Sequence, residues 1–391
     1  MFKGTSLFAQ IVSVVDRAGF QHIVSKYKGD KHSKGFSCWD QCVSMLYCHL
    51  AQAASLREIC GGLATVTGKI VHLGLRRAPK RTTLAYANEH RPFQMYVELF
   101  HELHGLCAGA WRGKRKFRFK NKVYSMDATV IDLCLSLFPW AKFRQTKGAV
   151  KVHLLLDHDG YLPVFAHITE GKRHEVNVAR QWAETVSFPE GSIIAFDRGY
   201  NDFDLFLQWH DRGVFFVTRM KDNTRYDVLQ QRSVPDSGRI LADERIVLTG
   251  QKAEKMPLPD FRRVVVWDED KQREIVLLTN HMDFAASTIA AIYKERWQIE
   301  IFFKTIKQHL KIKTFVGTSA NALKVQIWTA LCAILLLKYL KFLSTFDWSL
   351  SNLIALLRPN LFTYRDLQAW LNKPFGTPPC PPQTLQLALG L

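Results

Sequence analysis

The rhythm of hydrophobic and polar positions changes along the chain. Through about the first 110 residues apolar side chains recur at helical spacing. Phe8, Ile11, Val12 and Val15 open a helix predicted over Leu7–Phe20, and others are predicted over Cys38–Ala54, Leu56–Leu63 and, after Pro92, Phe93–Cys107. Arg76-Arg77-Ala78-Pro79-Lys80-Arg81 reads as a basic turn leading into a helix capped by threonine at Thr82-Thr83. At Val123 the pattern becomes that of strands: Val123–Leu133, Val150–Leu156 and, past an Asp157-His158-Asp159-Gly160 turn, Leu162–Ile168. The short run Ser192–Phe196 is apolar enough for a strand buried on both faces. A helix at Asp204–His210 and a strand at Val214–Thr218 follow. Further strands lie between Tyr226 and Thr279, including Arg262–Trp267 and Glu274–Leu278, before a long helix from Ala286 to about Leu310. Strands with helices between them predict an α/β fold, and the β-rich stretch of about 222–282 reads as an insertion. The most apolar run, Ile327–Leu337, is eleven residues long before Lys338. That is short of the ~20 a membrane span needs, so it reads as a buried core helix. Helices at Leu350–Leu357 and Asp366–Leu371 precede a tail crowded with Pro374, Pro378, Pro379, Pro381 and Pro382, predicted to be extended and mobile.

Composition narrows the class. With 391 residues, 47% hydrophobic and 23% charged, the chain has material for two or three globular domains at about 150 residues each. A disordered tail, a fibrous repeat and a disulfide miniprotein are excluded. Fifty-three Lys and Arg against 35 Asp and Glu leave a net charge of +18, which favours a polyanionic partner, nucleic acid ahead of an anionic membrane. Gln10, Ser13 and Asp16 interrupt the N-terminal apolar stretch as a signal peptide, and the eight cysteines are expected to be reduced cytosolic thiols. Charge is concentrated between Lys69 and Lys122, with thirteen Lys and Arg against three acids. Seven of the eleven residues Arg112–Lys122 are basic, with Phe117 and Phe119 interleaved. Lys80, Arg81, Arg115, Lys116 and Arg118 are therefore candidate phosphate contacts, against the alternative of a solvated linker.

Three acids stand where apolar packing does not explain them. Asp127 lies inside the apolar strand Tyr124–Ile131, where an unpaired carboxylate is costly. Asp197 follows Ile193-Ile194-Ala195-Phe196 directly, at a strand's carboxyl end, where open α/β sheets bind ligands. Taken alone, each also reads as a capping or salt-bridged aspartate. Glu300 shares a predicted helix with Tyr293, Arg296 and Lys307, and at ~100° per residue the four fall within a sector of about 60°. The alternative is a solvated face with an Arg296–Glu300 pair. Together the acids suit a hard cation, Mg²⁺ or Mn²⁺, and phosphodiester chemistry on DNA or RNA, with Arg296 and Lys307 on flanking phosphates. Cys38, Cys42, Cys48 and His49 lack paired zinc-knuckle spacing and read as core groups. Asp157-x-Asp159-Gly160 lacks the later ligands of a calcium loop. His174-Glu175 and Arg219-x-Lys221 line the cleft or are ordinary strand-end polar residues.

Asp127 in Met126-Asp127-Ala128-Thr129, the tetrapeptide Asp197-Arg198-Gly199-Tyr200, and Tyr293-x2-Arg296-x3-Glu300-x6-Lys307 resemble the three signatures of the DDE transposases, more narrowly the insertion-sequence family numbered four, relatives of the Tn-five and Tn-ten enzymes. The match covers roughly residues 120–340. The resemblance implies a ribonuclease H-like catalytic domain over 121–342 with a β-rich insertion, a helical, basic DNA-binding region over 1–120, and a C-terminal helical region over 343–391. It further implies two Mg²⁺ ions, with Mn²⁺ as substitute, on Asp127, Asp197 and Glu300. DNA contacts are implied at Tyr293, Arg296, Lys307, Arg198 and Tyr200, and a flipped base on Trp267, which also reads as a structural tryptophan. The implied partners are double-stranded DNA at terminal inverted repeats and target, and a second copy of the chain in a synaptic homodimer; no membrane partner is implied. The implied setting is the bacterial cytoplasm at the nucleoid. A repressor derived from a transposase and a structure-selective nuclease are the competing readings.

Overall fold

The computed structural model describes residues 4–66, 70–144, 147–234, 238–310 and 315–376. Helices come first: α1 (Leu7–Val12), α2 (Arg17–Lys26), α3 (Cys38–Leu50), α4 (Leu56–Ala64), α5 (Arg81–His90) and α6 (Gln94–Ala110). The helix predicted over Leu7–Phe20 is two helices, because the Asp16 carboxylate accepts the N–H groups of Ala18 and Gly19 and starts a new one. No threonine caps α5. It begins at Arg81, behind a Lys80 that makes no side-chain cap bond, so Thr82 and Thr83 lie in its first turn.

Then come β1 (Val123–Leu133), β2 (Lys142–Arg144), β3 (Lys147–Asp157), β4 (Leu162–Glu170), α7 (Glu175–Thr185), β5 (Ile193–Phe196), α8 (Phe203–Asp211), β6 (Phe215–Arg219), β7 (Tyr226–Gln231), β8 (Ile240–Leu248), β9 (Phe261–Asp268) and β10 (Arg273–Thr279). They are followed by α9 (Ala286–Glu295), α10 (Trp297–His309), α11 (Ala320–Leu343), α12 (Leu350–Leu357) and α13 (Leu367–Asn372). The proline cluster Pro378–Pro382 and Cys380 lie outside the described residues, as does Lys69.

The fold is mixed α/β around one large sheet. β4, β3 and β1 form an antiparallel meander, while β5 and β6 run parallel to β1 on its other side. The sheet then continues through β10, β9, β8 and β7, all antiparallel, so the β-rich stretch extends the same sheet. The period-2 alternation of β1 sends Tyr124 and Met126 to one face, where α7 and α8 cover them with Val178, Trp182, Leu205 and Trp209. On the other face α9 packs Ile289 and Ile292 over Ile193, Ala195 and Val217. Beside it, Ile131, Val152 and Leu154 share a core with Ile299, Phe302 and Ile306 of α10, with α11 and with the N-terminal helices.

α11 is the centre of that last core. It packs against α3, α5, α6, α10 and α12, and Ile334 to Leu337 are fully buried. Among the described residues it is the one helix long and apolar enough to cross a membrane, but 83% of its apolar window is buried in protein, as a core helix requires. His49 of α3 is enclosed in the same core: Nδ1 donates to the Leu310 carbonyl at 2.7 Å, and Nε2 meets the Thr329 hydroxyl at 2.9 Å. Burial lowers its pKa to about 4. Cys38, Cys42 and Cys48 are buried thiols, and Cys48 donates to the Ala53 carbonyl at 3.6 Å.

Arg262 of β9, 1% exposed, makes a two-bond pair with Asp243 of β8, both at 2.7 Å, and donates to the carbonyl oxygens of Met282 (3.2 Å) and Phe284 (2.5 Å). The pair ties the outer strands to the loop that launches α9. Removing one partner leaves a buried unpaired charge, so Asp243→Ala is expected to destabilise the fold by about 3–5 kcal/mol, read as a lowered urea midpoint. The double substitution Asp243→Leu/Arg262→Met is expected to recover part of that loss.

Candidate active site

Asp127 and Asp197 lie at neighbouring strand positions. The last paired residues of β1 and β5 are Met126 and Phe196, so Asp127 comes next on β1 and Asp197 directly follows the carboxyl end of its parallel neighbour β5. Asp197 leaves its strand into a short 3₁₀ turn, Arg198–Tyr200, and its carboxylate accepts the Arg198 N–H at 2.7 Å. Asp127 accepts the Ala128 N–H at 2.8 Å. Glu300 arrives from α10, which packs on β1.

Arg296 joins these parts. Its guanidinium lies 2.7 Å from Glu300 and 3.5 Å from Asp127, with the Tyr293 ring 5.7 Å beneath it. The long helix predicted from Ala286 to Leu310 is interrupted at this residue. The Arg296 N–H bonds to the Tyr293 carbonyl, and the Arg296 carbonyl accepts from Ile299, both i to i+3 bonds that tighten the turn. The Tyr-Arg-Glu-Lys stripe is thus half-buried against β1. Lys307 completes it, donating to the Val130 carbonyl at 2.9 Å. A cleft of about 420 Å³ opens here, lined by Asp127, Thr129, Glu300, Lys304, Lys307 and Gln308 among others. Lys304 and Gln308 were missed in the sequence, although they stand one and two turns beyond Glu300 on the same helix. A second cleft, of about 460 Å³, is lined by Arg198, Gly199, Lys221, Asp222 and Asn223.

Burial raises the pKa of the Asp127 carboxyl to about 6; the Ala128 N–H and Arg296 oppose the rise, while Glu300 and Glu175 add to it. Burial also works against the charge on Arg296, but Tyr293, Glu300 and Asp127 outweigh it and raise its pKa. Among the described residues no three His, Cys, Asp or Glu side chains are drawn together at ligand spacing. The donor chemistry nevertheless fits a hard divalent cation: Asp127, Asp197 and Glu300 offer only carboxylate oxygen, and Asp127 lacks enough positive charge to hold its ordinary pKa.

The other candidates are spread around this centre. The Tyr200 ring, expected at DNA, is 2% exposed and packs edge-on to Phe196 at 6.1 Å; its position just past a buried strand directs it into the core. Arg198 is exposed and paired with Asp222 at 3.2 Å. Trp267 is half-buried on β9 opposite Glu274. Lys80 and Arg81 are exposed at the start of α5. The basic run is anchored: Phe117 stacks on Phe119 and Phe119 on Phe284, at 4.9 and 4.6 Å. Arg115 pairs with Asp159 at 3.3 Å, Lys116 with Glu295 at 3.3 Å, and Lys122 with Asp157 and Asp159 at 2.7 Å each. Among the described residues no ion pair reaches Arg118, Lys114 or Lys120, all exposed.

Residues 118–336 match a family model described as a transposase DDE domain, and residues 3–76 match one described as a domain of unknown function. The chain is 31% identical over 320 residues to "Putative transposase y4zB" of Sinorhizobium fredii, covering 80% of this chain and 87% of that protein. It is 29% identical over 228 residues to "Probable transposase for insertion sequence element IS5377" of Geobacillus stearothermophilus, covering 58% and 59%. A cryo-EM structure of a piggyBac transposase synaptic complex with hairpin DNA overlaps 91% of this chain and 79% of that chain at TM-score 0.41 and 10% identity, a likeness too distant to carry an argument.

The raised pKa of Asp127 sets a pH dependence of stability. An ordinary aspartate titrates near 3.9 when unfolded, whereas this one titrates at about 6 when folded. The native state therefore holds the extra proton between those values, and stability falls as pH rises through that window. With EDTA present, Asp127→Asn is expected to raise the melting temperature at pH 8, by removing a cost on the order of 2–3 kcal/mol, and to have little effect at pH 4.

Proposed function

The chain belongs to the DDE transposases, and on that premise we propose that it cuts the ends of its insertion sequence and joins the freed 3′-hydroxyls to target DNA at Asp127, Asp197 and Glu300. The observation that most supports this is the meeting of β1 and α10: Asp127 and Glu300 share one guanidinium and one cleft, and Asp197 stands at the adjacent strand end. The strand order β4-β3-β1-β5-β6, antiparallel up to β1 and parallel beyond it, supports a ribonuclease H-like catalytic domain over 121–342. The strands β7 to β10 would be its insertion, and residues 1–120 and 343–391 the flanking regions.

Asp127, Asp197 and Glu300 would hold two divalent ions, Mg²⁺ or Mn²⁺ in its place, which when bound supply positive charge at the phosphate oxygens and a more acidic water. Everything else falls to the chain. Asp197, held by the Arg198 N–H, and Asp127, held by the Ala128 N–H, present oxygens already oriented before DNA arrives. Lys304 and Lys307 border the cleft from α10 and contact phosphates flanking the scissile one, and Arg296 forms a bidentate contact as the acids release it. Water attacks phosphorus at the element's end, breaking its bond to the 3′-oxygen and leaving a 3′-hydroxyl and a 5′-phosphate. That hydroxyl then attacks a second phosphodiester, in the opposite strand or in the target, and displaces its 3′-oxygen. Both steps are in-line displacements in which the protein contributes position and charge. The partners are double-stranded DNA and, in a synaptic complex, a second copy of the chain.

The test is a labelled duplex carrying the terminal repeats from beside the gene, incubated with Mg²⁺ and wild type or Glu300→Gln. Repeat-dependent nicking and joining by wild type is expected, with a loss of roughly 10³-fold or more in the variant and DNA affinity preserved. Specific binding with no cutting in Mg²⁺ or Mn²⁺ would instead identify a repressor, and cutting indifferent to the repeats a nuclease.

The basic run gives a separate expectation. Replacing Lys114, Arg118 and Lys120 with serine should reduce the slope of log affinity against log salt by roughly 2–3, since each phosphate contact contributes about 0.9. Replacing Arg115 and Lys116, which are engaged with Asp159 and Glu295, should change the slope less.

A further inference from the structure

We propose that Glu175 is a fourth carboxylate of this centre, an oxygen donor to the divalent cation from the α7 side of the sheet, with the Tyr200 hydroxyl beside it serving the cation's water shell. The proposal rests on the reading of Asp127, Asp197 and Glu300 as cation-holding acids. Glu175 is the first residue of α7, and Val178, Ala179 and Trp182 fix that helix in the core with Tyr124, Met126 and Phe196. The start of α7 is thereby held against the turn that follows Asp197: a Cβ built on Gly199 would lie 3.7 Å from Glu175 Oε2. Glu175 thus approaches the strand ends from the α7 face, and Glu300 from the α10 face.

Two neighbours indicate what Glu175 is for. Lys151 of β3, its side chain 14% exposed, lies 3.2 Å from Glu175 Oε1 and donates to the Arg173 carbonyl at 3.2 Å, so before a divalent cation arrives the carboxylate's charge is balanced by a competing one. The Tyr200 hydroxyl is the second observation. It is buried in a residue 2% exposed, has no hydrogen-bond partner among the described residues, and feels the charges of Asp127, Glu175 and Asp197, with Arg296 acting the other way. A buried hydroxyl is costly to leave unpaired, and the described residues provide no partner for this one. Water on a divalent cation held by these acids would supply such a partner. Outer groups of this kind commonly change metal affinity by 10- to 100-fold.

The experiment titrates Mn²⁺ into the full-length chain, alone and with the terminal-repeat duplex, following free Mn²⁺ by electron paramagnetic resonance. Wild type, Glu175→Gln, Glu175→Asp, Lys151→Gln and Asp127→Asn are compared, with thermal melts in EDTA to check folding. Glu175→Gln is expected to weaken Mn²⁺ binding about tenfold or more, and to raise by a similar factor the Mg²⁺ concentration for half-maximal cleavage. Glu175→Asp should regain part of the affinity, and Lys151→Gln should leave it unchanged or tighter because a competing cation has gone. Unchanged Mn²⁺ affinity in Glu175→Gln, while Asp127→Asn loses it, overturns this proposal alone. Equal loss in Glu175→Gln and Lys151→Gln also overturns it, since that is the signature of a structural brace. If wild type binds Mn²⁺ no better than Asp127→Asn, the parent reading falls, and this proposal with it.

Discussion

A carboxylate within a core strand has to be neutralised, and here the neutralising group is Arg296. Asp127 has 20% of its side chain exposed, and Arg296, at 12%, lies between it and Glu300. One guanidinium therefore ties β1 to the first turn of α10, and through the Tyr293 ring to the end of α9. The helical axis is interrupted at the residue whose side chain has to reach the sheet. A straight helix over 286–310 would have carried the same four residues as a surface stripe; the tightened turn accompanies their burial against β1. The cleft beside Asp127 and the position of Lys307 both depend on that junction.

Around the junction, stretches that look separate in sequence share packing. α11, late in the chain, is covered by α3, α5 and α6 from its beginning and by α10 from the acidic centre. The basic residues at the start of α5 are therefore linked to the acids through packed side chains, and a duplex on Lys80 and Arg81 would meet the cleft at a fixed offset. The basic run before β1 is fixed as well, by its phenylalanine stack on Phe284 and by Lys116 on Glu295, the residue just before Arg296. Charges that would otherwise sample many positions are held near the acids, which lowers the ordering cost of binding.

How much of this could be read beforehand depended on whether local sequence carried the signal. The spacing of Tyr293, Arg296, Glu300 and Lys307 was legible because the helical period survives a single tightened turn. Asp197 was legible because β5 is too apolar to be anything but a buried strand, and a carboxylate directly after one stands at the sheet's carboxyl end. The interruption at Arg296 was not, since no glycine or proline marks it and its bonds to Asp127 and Glu300 span 169 and 4 positions of chain. The resemblance implied a DNA contact at Tyr200, but the tetrapeptide does not say which way its ring turns; the aromatic core around Phe196 decides that. Glu175 stood open between a place in the cleft and an ordinary strand-end polar residue, and only the packing of α7 brings it to the turn after Asp197. Asp16, read only as an interruption of an apolar stretch, is the cap that splits the first predicted helix in two.

On the proposed chemistry, the cations beside the acids do more than balance charge. A single guanidinium shared by Asp127 and Glu300 offsets only part of what burial does to Asp127, whose pKa stays raised. A divalent ion arriving alone would bring enough charge but would leave Arg296 facing a second cation. A phosphate arriving alone would draw Arg296 away and expose Asp127 without a counter-charge. When both arrive, the ion meets the carboxylates, the guanidinium gains a bidentate phosphate partner, and every charge is paired. Each ligand therefore strengthens the binding of the other, a positive coupling that linkage makes reciprocal. On that chemistry, one arginine shared between two acids would keep cation loading and DNA engagement in step, on a chain whose net charge of +18 would otherwise favour DNA and disfavour cations at every site alike.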